Sequence, residues 1–379
     1  PKLNALTFVA PMYTVHGDAL HDVERKYDFA SWGPYTHLDM LVSMPLYTFG
    51  KLESGVDAAD ARLAVEKGSL KISENRVKLE VTRMYYTHLY SIAMQKELKR
   101  FKTRLSEVQT RAQEFYDAAT GKVTKADLMR LRFAETELDK YMLIAKDGTE
   151  ISLAGLKYLM GRATDFELQL ADTKLSNLNM EAPAATDKLV QTAKANRPEL
   201  QQVEKGLQAA TALRKSEASS NKPVIFVAGN LQANWTPTRD HATNPYQYDP
   251  YNSLNGGVAV GAKLDLDWAL TKSKLDKANA EIAKVKALQQ KAVLGIPVEV
   301  QKARNKIIRL RDQLRLSKQA GKATRKWVVF TSAEYMTGVG EVKDVLEGLA
   351  AMLQSRRDYL ETIMQLNVAD AELDFVLGL

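Results

Sequence analysis

Two aspartates follow glycines at the same six-residue spacing, and they are the side chains whose positions most clearly indicate a shared role. The segments are Gly121-Lys-Val-Thr-Lys-Ala-Asp127 and Gly338-Val-Gly-Glu-Val-Lys-Asp344. Glycine permits a left-handed turn, and a carboxylate at the beginning of a helix suits the positive end of the helix dipole. Each motif therefore predicts a turn that leads into a new helix. Glu347 lies three residues after Asp344, so both carboxylates share one helix face.

The other residue types give no sign of catalysis or of a bound cofactor. The chain has no cysteine, which excludes disulfides, thiolate ligands and a cysteine nucleophile within it. The five histidines have no metal-ligand spacing, and the sequence has no methionine cluster, phosphate-binding loop or Ser-His-Asp pattern. The prediction is a protein that is not an enzyme, with no metal site and no cofactor.

The composition is that of a folded chain with one basic region. Hydrophobic residues make up 45% of the 379 residues, enough for a core, and no apolar run is long enough for a transmembrane helix. From Thr271 to Trp327 there are 16 Lys and Arg against 4 Asp and Glu. Because these charges alternate with a helical apolar pattern, a solvated helix face is favoured over nucleic-acid binding. The first residue, Pro1, suggests a processed or truncated chain.

Helical periodicity extends further than a globular domain allows. The first pattern runs from Lys51 to Asp117 and would span roughly 100 Å. Its second half has a coiled-coil seam with steps of four and three residues: Met94, Leu98, Phe101, Leu105, Val108, Ala112, Phe115. After a turn the seam returns and is predicted to end near Asp147-Gly148, which makes residues 51–147 an antiparallel hairpin with its tip at 118–127.

A second hairpin is predicted over residues 271–379, with its tip at 335–344. Pro297 should kink or interrupt its first helix. A separate helix is predicted over 185–217, and a mixed segment over 148–184 contains a short apolar helix near Leu156–Met160.

Two pairs of amphipathic strands precede the hairpins, at about 5–48 and about 224–268, with loops at 17–35 and 237–256. Strict alternation of apolar and polar residues from Gly257 to Trp268 predicts one apolar and one polar face. Strands of about ten residues match a bilayer, and aromatic residues cluster at their ends as an interfacial girdle would: Tyr13, Trp32, Tyr35, Tyr47, Trp235, Tyr248, Tyr251, Trp268. Four strands cannot close a barrel in lipid, so several copies must do so together.

The strand pair and long hairpin thus occur twice, and this duplication resembles the TolC-type outer-membrane efflux protein family over nearly the whole chain. The resemblance implies a mixed α/β membrane protein. Each chain would contribute four strands to an oligomeric β-barrel and two coiled-coil hairpins to a periplasmic α-helical tunnel. The predicted repeats are residues 1–184, with 148–184 as an equatorial segment, and 185–379.

Two further segments resemble family motifs. Ser43-Met-Pro-Leu-Tyr-Thr-Phe-Gly50 is similar to the strand-to-helix junction, in which Pro45 ends the ladder and Gly50 lets the chain turn. The second copy, Leu264 to Thr271, has neither proline nor glycine. Asn196-Arg-Pro-Glu-Leu200 is similar to the opening of the helix that leads back to the barrel.

The resemblance also assigns roles at the two tips. An adaptor protein would contact Gly121, Val123, Asp127, Gly338, Val342 and Asp344. Asp344 and Glu347, repeated by each protomer, would form the pore constriction. Asp127 and Tyr335 would hold the entrance closed, whereas the family's arginine position is occupied here by Gly340.

The function implied is a homotrimeric outer-membrane channel of a Gram-negative bacterium, opened by a periplasmic adaptor (membrane fusion) protein. It would serve as the exit duct of a tripartite efflux pump or a type I secretion system, with an inner-membrane pump or ABC exporter and outer-membrane lipid as further partners. The alternative is a periplasmic coiled-coil adaptor or interaction protein without a channel. Drugs, metal ions and secreted proteins all remain candidate substrates.

Overall fold

The structure, a computed structural model, describes residues 1–17, 26–176, 181–240 and 249–379. A strand pair followed by a pair of long helices occurs twice in these ranges, as predicted. The elements are β1 (Lys2–His16), β2 (Lys26–Tyr47), α1 (Lys51–Asp117), α2 (Lys125–Leu159), α3 (Thr186–Asn196), α4 (Pro198–Ala218), β3 (Val224–Trp235), β4 (Ser253–Lys263), α5 (Trp268–Met336) and α6 (Val342–Leu377).

The chain divides into two compact units that each combine segments from both predicted repeats. Unit 1 consists of Pro1–Leu63 and Lys205–Lys286, and unit 2 of Ala64–Glu204 and Ala287–Leu379. Unit 1 contains the strands, and unit 2 contains the two hairpin tips. The repeat boundary at 184/185 stays a prediction.

The four strands of unit 1 form one antiparallel sheet in the order β1-β2-β3-β4. The strand pairs of the two repeats are joined by β2 and β3, for example through Met40 opposite Leu231. β1 and β4 are the edges of this sheet.

The strand register separates the side chains into two faces, because successive residues point to opposite sides. One face carries no charged residue where the strands pair: Leu3, Ala5, Thr7, Val9, Thr36, Leu38, Met40, Val42, Met44, Ile225, Val227, Gly229, Leu231, Ala233, Trp235, Leu254, Gly256, Val258, Val260, Ala262. The opposite face includes Lys2, Asp39, Asn230, Gln232 and Lys263. The predicted apolar and polar faces are therefore both present.

Two predicted strand boundaries are wrong. β2 begins at Lys26, so residues 26–35 are strand rather than loop; a register shift after Tyr13 lets β1 continue to pair there. β4 ends at Lys263 and does not reach Trp268, which is the first residue of α5. The Asp267 carboxylate accepts the N–H of Leu270 at 3.0 Å and so caps the new helix. Of the predicted aromatic girdle, Tyr248 lies outside the described residues.

The predicted coiled-coil seams form the cores of unit 2. One cluster joins α1, α2, α5 and α6, and it includes Leu98, Leu105, Leu131, Leu138 and Leu349. A second cluster joins α3, α5 and α6. The cationic side chains of α5 are on the exposed side of this helix, as Lys318, Lys322 and Arg325 illustrate. No helix in the described ranges combines the length and apolarity needed to cross a membrane.

The predicted end of the first hairpin at 147 is wrong, because α2 continues through Gly148 to Leu159 and includes the region predicted as a separate short helix. Gly148 does not end the helix but lets α2 pack closely against α1, because a Cβ at this position would lie 2.7 Å from the Ser91 hydroxyl of α1.

Proline explains two further differences. The helix predicted over 185–217 is two helices, since Pro198 forces the preceding Arg197 into an extended conformation. α5 runs through Pro297 without interruption.

Candidate functional site

The first strand-to-helix junction turns at a glycine, as predicted. Gly50 has a φ of 85°, and Phe49 before it is also left-handed, with a φ of 52°. The Thr48 hydroxyl accepts the N–H of Leu52 at 3.2 Å and caps α1. Pro45, however, does not end the strand: pairing continues to Tyr47 with a register shift between Pro45 and Tyr47.

The first hairpin tip is closed by a complete capping box. Gly121 turns the chain with a φ of 73°. Thr124 is the N-cap of α2, and its hydroxyl accepts the Asp127 N–H, while the Asp127 carboxylate accepts the Thr124 N–H at 3.0 Å. The other Asp127 oxygen pairs with Arg130 at 2.7 Å. Burial alone would raise the pKa of Asp127, but these hydrogen bonds and this cation lower it below its usual value.

The second tip has the same turn but a different cap. Gly338 has a φ of 79°, and Asp344 occupies the third position of α6, as Asp127 does in α2. The N-cap here is Glu341, which makes no side-chain cap hydrogen bond. Asp344 is exposed and forms no ion pair with a described residue. Glu347, one turn further, is also exposed and lies 3.9 Å from the Lys343 ammonium group.

Two residues predicted to contact an adaptor are buried instead. Val123 is 6% exposed and Val342 is 2% exposed, and both belong to the core of unit 2. Val123 precedes the N-cap of α2 and packs in the same cluster as Leu128, as a hydrophobic staple does. The apolar side chain that the second tip presents is Val339, which is 84% exposed. In the sequence, this exposed residue is marked by a single valine between two glycines, Gly338 and Gly340.

Tyr335 is fully enclosed at the end of α5. Its side chain is 2% exposed and meets the Phe115 ring edge-on at a centroid distance of 5.9 Å. The phenol oxygen has no hydrogen-bond partner among the described residues. Burial raises the pKa of Tyr335 to about 12, with Arg111 opposing and Asp127 adding to the shift. The predicted closing contact between Asp127 and Tyr335 is therefore not made as a hydrogen bond within this chain.

Gly340 cannot be replaced by the arginine of the family pattern without moving the turn. A Cβ at this position would lie 2.9 Å from the Tyr335 backbone nitrogen and 3.1 Å from the Glu334 carbonyl carbon. The Gly340 N–H donates to the Glu334 oxygen at 2.9 Å, which holds the turn against the end of α5.

Unit 2 also carries two separate exposed apolar surfaces. The first, called the α2/α6 groove, has a volume of about 1100 Å³ and a floor formed by α1; its walls include Met129, Phe133, Leu346 and Leu353. The second, called the α5 stripe, follows steps of four and three residues along one helix side: Leu316, Ala320, Ala323, Trp327, Phe330. Phe133 and Phe330 are each 67% exposed.

The described residues contain no group of three or more His, Cys, Asp or Glu side chains placed to hold a metal ion. The acidic groups of the second tip are the exposed carboxylates of Glu341, Asp344 and Glu347, whereas the first tip has the capped carboxylate of Asp127.

A four-stranded sheet with a charge-free face, combined with two helical hairpins of this length, is also the fold of several outer-membrane channel proteins. Solved structures have the same fold. VceC of Vibrio cholerae covers 100% of this chain with a TM-score of 0.74 at 14% identity. The Campylobacter jejuni CmeC outer-membrane channel has a TM-score of 0.75 at 13%, and the Neisseria gonorrhoeae MtrE channel 0.71 at 17%. Both also cover 100% of this chain, and the matches span 87%, 78% and 80% of VceC, CmeC and MtrE.

The sequence model of the outer membrane efflux protein family matches residues 189–379, half of the chain, and the protein belongs to that family. Its members are channel proteins of the Gram-negative outer membrane, which is therefore the location of this chain. The predicted family, fold and location are confirmed. No curated protein sequence matches the chain.

Proposed function

We propose that three copies of this chain form an outer-membrane channel that serves as the exit duct of a tripartite efflux pump or a type I secretion system. The observation that carries the proposal is the sheet of unit 1, whose charge-free face ends at two open edges, β1 and β4. Unpaired backbone groups are excluded from lipid, so strands of further copies must complete the sheet.

The two apolar surfaces of unit 2 favour a ring over a two-fold dimer. The α2/α6 groove and the α5 stripe are different surfaces, and a contact between unlike surfaces builds a closed ring or a filament. With four strands from each chain, three copies give twelve, which leaves a lumen, whereas eight strands are filled by side chains.

The hairpin tips form the proposed periplasmic gate. Asp344 and Glu347 of each protomer would line the constriction as two rings of carboxylates. An adaptor protein would contact the tips, with Val339 as the apolar anchor in place of Val123 and Val342. The contact of Asp127 with Tyr335 would belong to the closed state. Family membership argues against the alternative of an adaptor without a channel.

Light scattering of the detergent-solubilised protein, corrected for bound detergent, tests the oligomer directly. We expect a mass of three chains, 42.3 kDa each. A monodisperse monomer that stays soluble without detergent would overturn the proposal.

A matched pair of substitutions in β4 tests which face meets lipid. Val260 is on the charge-free face, and its neighbour Ala259 is on the opposite face. Val260→Arg should cost about 2–4 kcal/mol near the bilayer midplane and prevent assembly, whereas Ala259→Arg should assemble. Gly261 is unsuitable as the control because the Phe226 ring covers it. Equal damage from both arginines would contradict a barrel wall.

A further inference from the structure

The segment that follows β3 folds back across the sheet at the end opposite to the strand-to-helix junctions. This segment, called the strap, consists of residues 236–240. The Val15 N–H of β1 donates to the Thr238 oxygen at 3.2 Å, and the Asp240 N–H donates to the Val15 oxygen at 3.3 Å. The Asp240 carboxylate also accepts the Gly17 N–H at 3.1 Å. Because β2 lies between β3 and β1, the strap crosses β2 to make these contacts.

Gly33 shows which face of β2 the strap crosses. A Cβ on Gly33 would lie 2.0 Å from the Thr238 methyl carbon and 3.0 Å from the Thr238 Cβ, so the strap packs directly on the strand here. Gly33 lies six residues before Asp39 on β2, and both therefore face the same side of the sheet. The strap thus lies on the polar face, opposite to the charge-free one.

Side chains fasten the strap to this face. The Arg239 guanidinium lies 4.0 Å above the centroid of the Tyr251 ring. Where the strap leaves β3, Thr236 is fully buried, and its N–H donates to the Asn252 side-chain oxygen at 2.9 Å. The strap is therefore held at both ends and in the middle.

We propose that the strap is an outer constriction of the channel, which limits the size of the solutes that leave it. The inference rests on the proposed channel function, in which the polar face of the sheet lines the lumen. Three copies would then hold three straps inside the mouth of one barrel, and loops fill the interior of other outer-membrane barrels. Since one ring contact and a few hydrogen bonds hold the strap, a large solute can displace it without unpairing the sheet.

An engineered disulfide tests the position of the strap without requiring conduction, because the chain has no cysteine of its own. Gly33→Cys with Thr238→Cys should form the bond on mild oxidation, since the 3.0 Å between the two Cβ positions must widen only slightly to reach the usual value of about 3.8 Å. Gly257→Cys with Thr238→Cys is the matched control and should stay reduced, because Gly257 is on the same face but lies beside Asn230. A first pair that stays reduced would contradict the placement of the strap.

The rate at which maleimides added outside intact cells reach Ser43→Cys tests the constriction. Ser43 follows Gly33 by ten residues on the same face of β2, which places it roughly 33 Å further along the strand. A small maleimide should react readily, and one attached to a long polyethylene glycol chain should react slowly. Gly33→Ala, which collides with the strap, and Arg239→Gln, which loses the ring contact, should each speed the large reagent about tenfold and leave the small one unchanged.

Gly257→Ala is the matched control for labelling, because its methyl group would meet only Asn230 at an ordinary distance of 3.4 Å, and it should change neither rate. If Gly33→Ala fails to assemble, Arg239→Gln alone decides the comparison. Equal rates for the large reagent in all variants would overturn the constriction and leave the channel intact. If the small reagent does not reach Ser43→Cys in any variant, the polar face does not line a lumen, and the proposed channel function fails together with the constriction.

Discussion

Asp127 and Asp344 occupy the same helix position, yet their neighbours give them different chemistry. Thr124 and Arg130 satisfy the first carboxylate within its own turn. Glu341, which stands where Thr124 stands in the first tip, offers no such partner to Asp344. The cap residue thus determines which of the two aspartates has its carboxylate engaged within its own turn.

The carboxylates of Asp344 and Glu347 should make the channel cation-selective. Three copies of each would attract cations, and Lys343, at 3.9 Å from Glu347, would partly neutralise the second ring. Asp344→Asn with Glu347→Gln should abolish cation preference in planar bilayers, and Lys343→Gln should strengthen it. Unchanged selectivity in the carboxamide variant would remove both residues from the constriction.

Ionisation of Asp370 on α6 should lower the free energy of unfolding of unit 2 as the pH rises from about 4 to 7. Burial, and then the neighbouring Asp374, raise the pKa of Asp370 to about 6, against the charge of Arg311 on α5. Because this folded-state pKa is above the ordinary value, the stabilising protonated form is complete below about pH 4 and is lost as the pH passes 6. Asp370→Asn should therefore raise the melting temperature at pH 7.5 more than at pH 5. Asp312→Asn, at an exposed site, should have little effect at either pH.

At the scale of elements, periodicity predicted the long helices, and glycine and proline were the less reliable signals. Gly148 was interpreted as a helix end but lies in a close helix contact, whereas Gly121 and Gly338 do turn the chain. A side-chain pattern alone cannot distinguish these cases, since the difference depends on what the opposite helix presents. For the same reason the burial of Val123 was not foreseen.

Gly148 and Gly321 lie in different surroundings, so replacing each with alanine should change stability in opposite directions. Gly148→Ala would place a methyl group against the Ser91 hydroxyl and should lower the free energy of unfolding by about 1–3 kcal/mol. Gly321 in α5 has open space around it, so Gly321→Ala should raise the free energy of unfolding by as much as about 1 kcal/mol. Ser91→Gly should rescue Gly148→Ala, and thermal unfolding in detergent measures all three. A loss that Ser91→Gly does not relieve would argue against this contact.

At the scale of the whole molecule, the sequence indicated that one chain cannot complete its own sheet, while only the folded hairpins revealed surfaces that another copy can cover. The α2/α6 groove exposes the ring of Phe133, and the α5 stripe exposes the rings of Trp327 and Phe330, of which Phe330 is the more exposed. If the stripe of one protomer packs in the groove of the next, the side chains of Phe133 and Phe330 are buried in the same contact, repeated around the ring.

Opposite charges introduced at Phe133 and Phe330 should therefore each weaken assembly alone and compensate for each other when combined. Phe133→Glu and Phe330→Lys should each reduce the trimer fraction in detergent-corrected light scattering, because a lone charge would be buried between protomers. The double variant should recover part of the trimer, since each interface then holds one glutamate facing one lysine. Val339→Glu, at an exposed tip residue, is the control and should leave the trimer intact. If the double variant is as dissociated as the worse single variant, Phe133 and Phe330 do not meet across protomers, and a different pair of surfaces must close the ring.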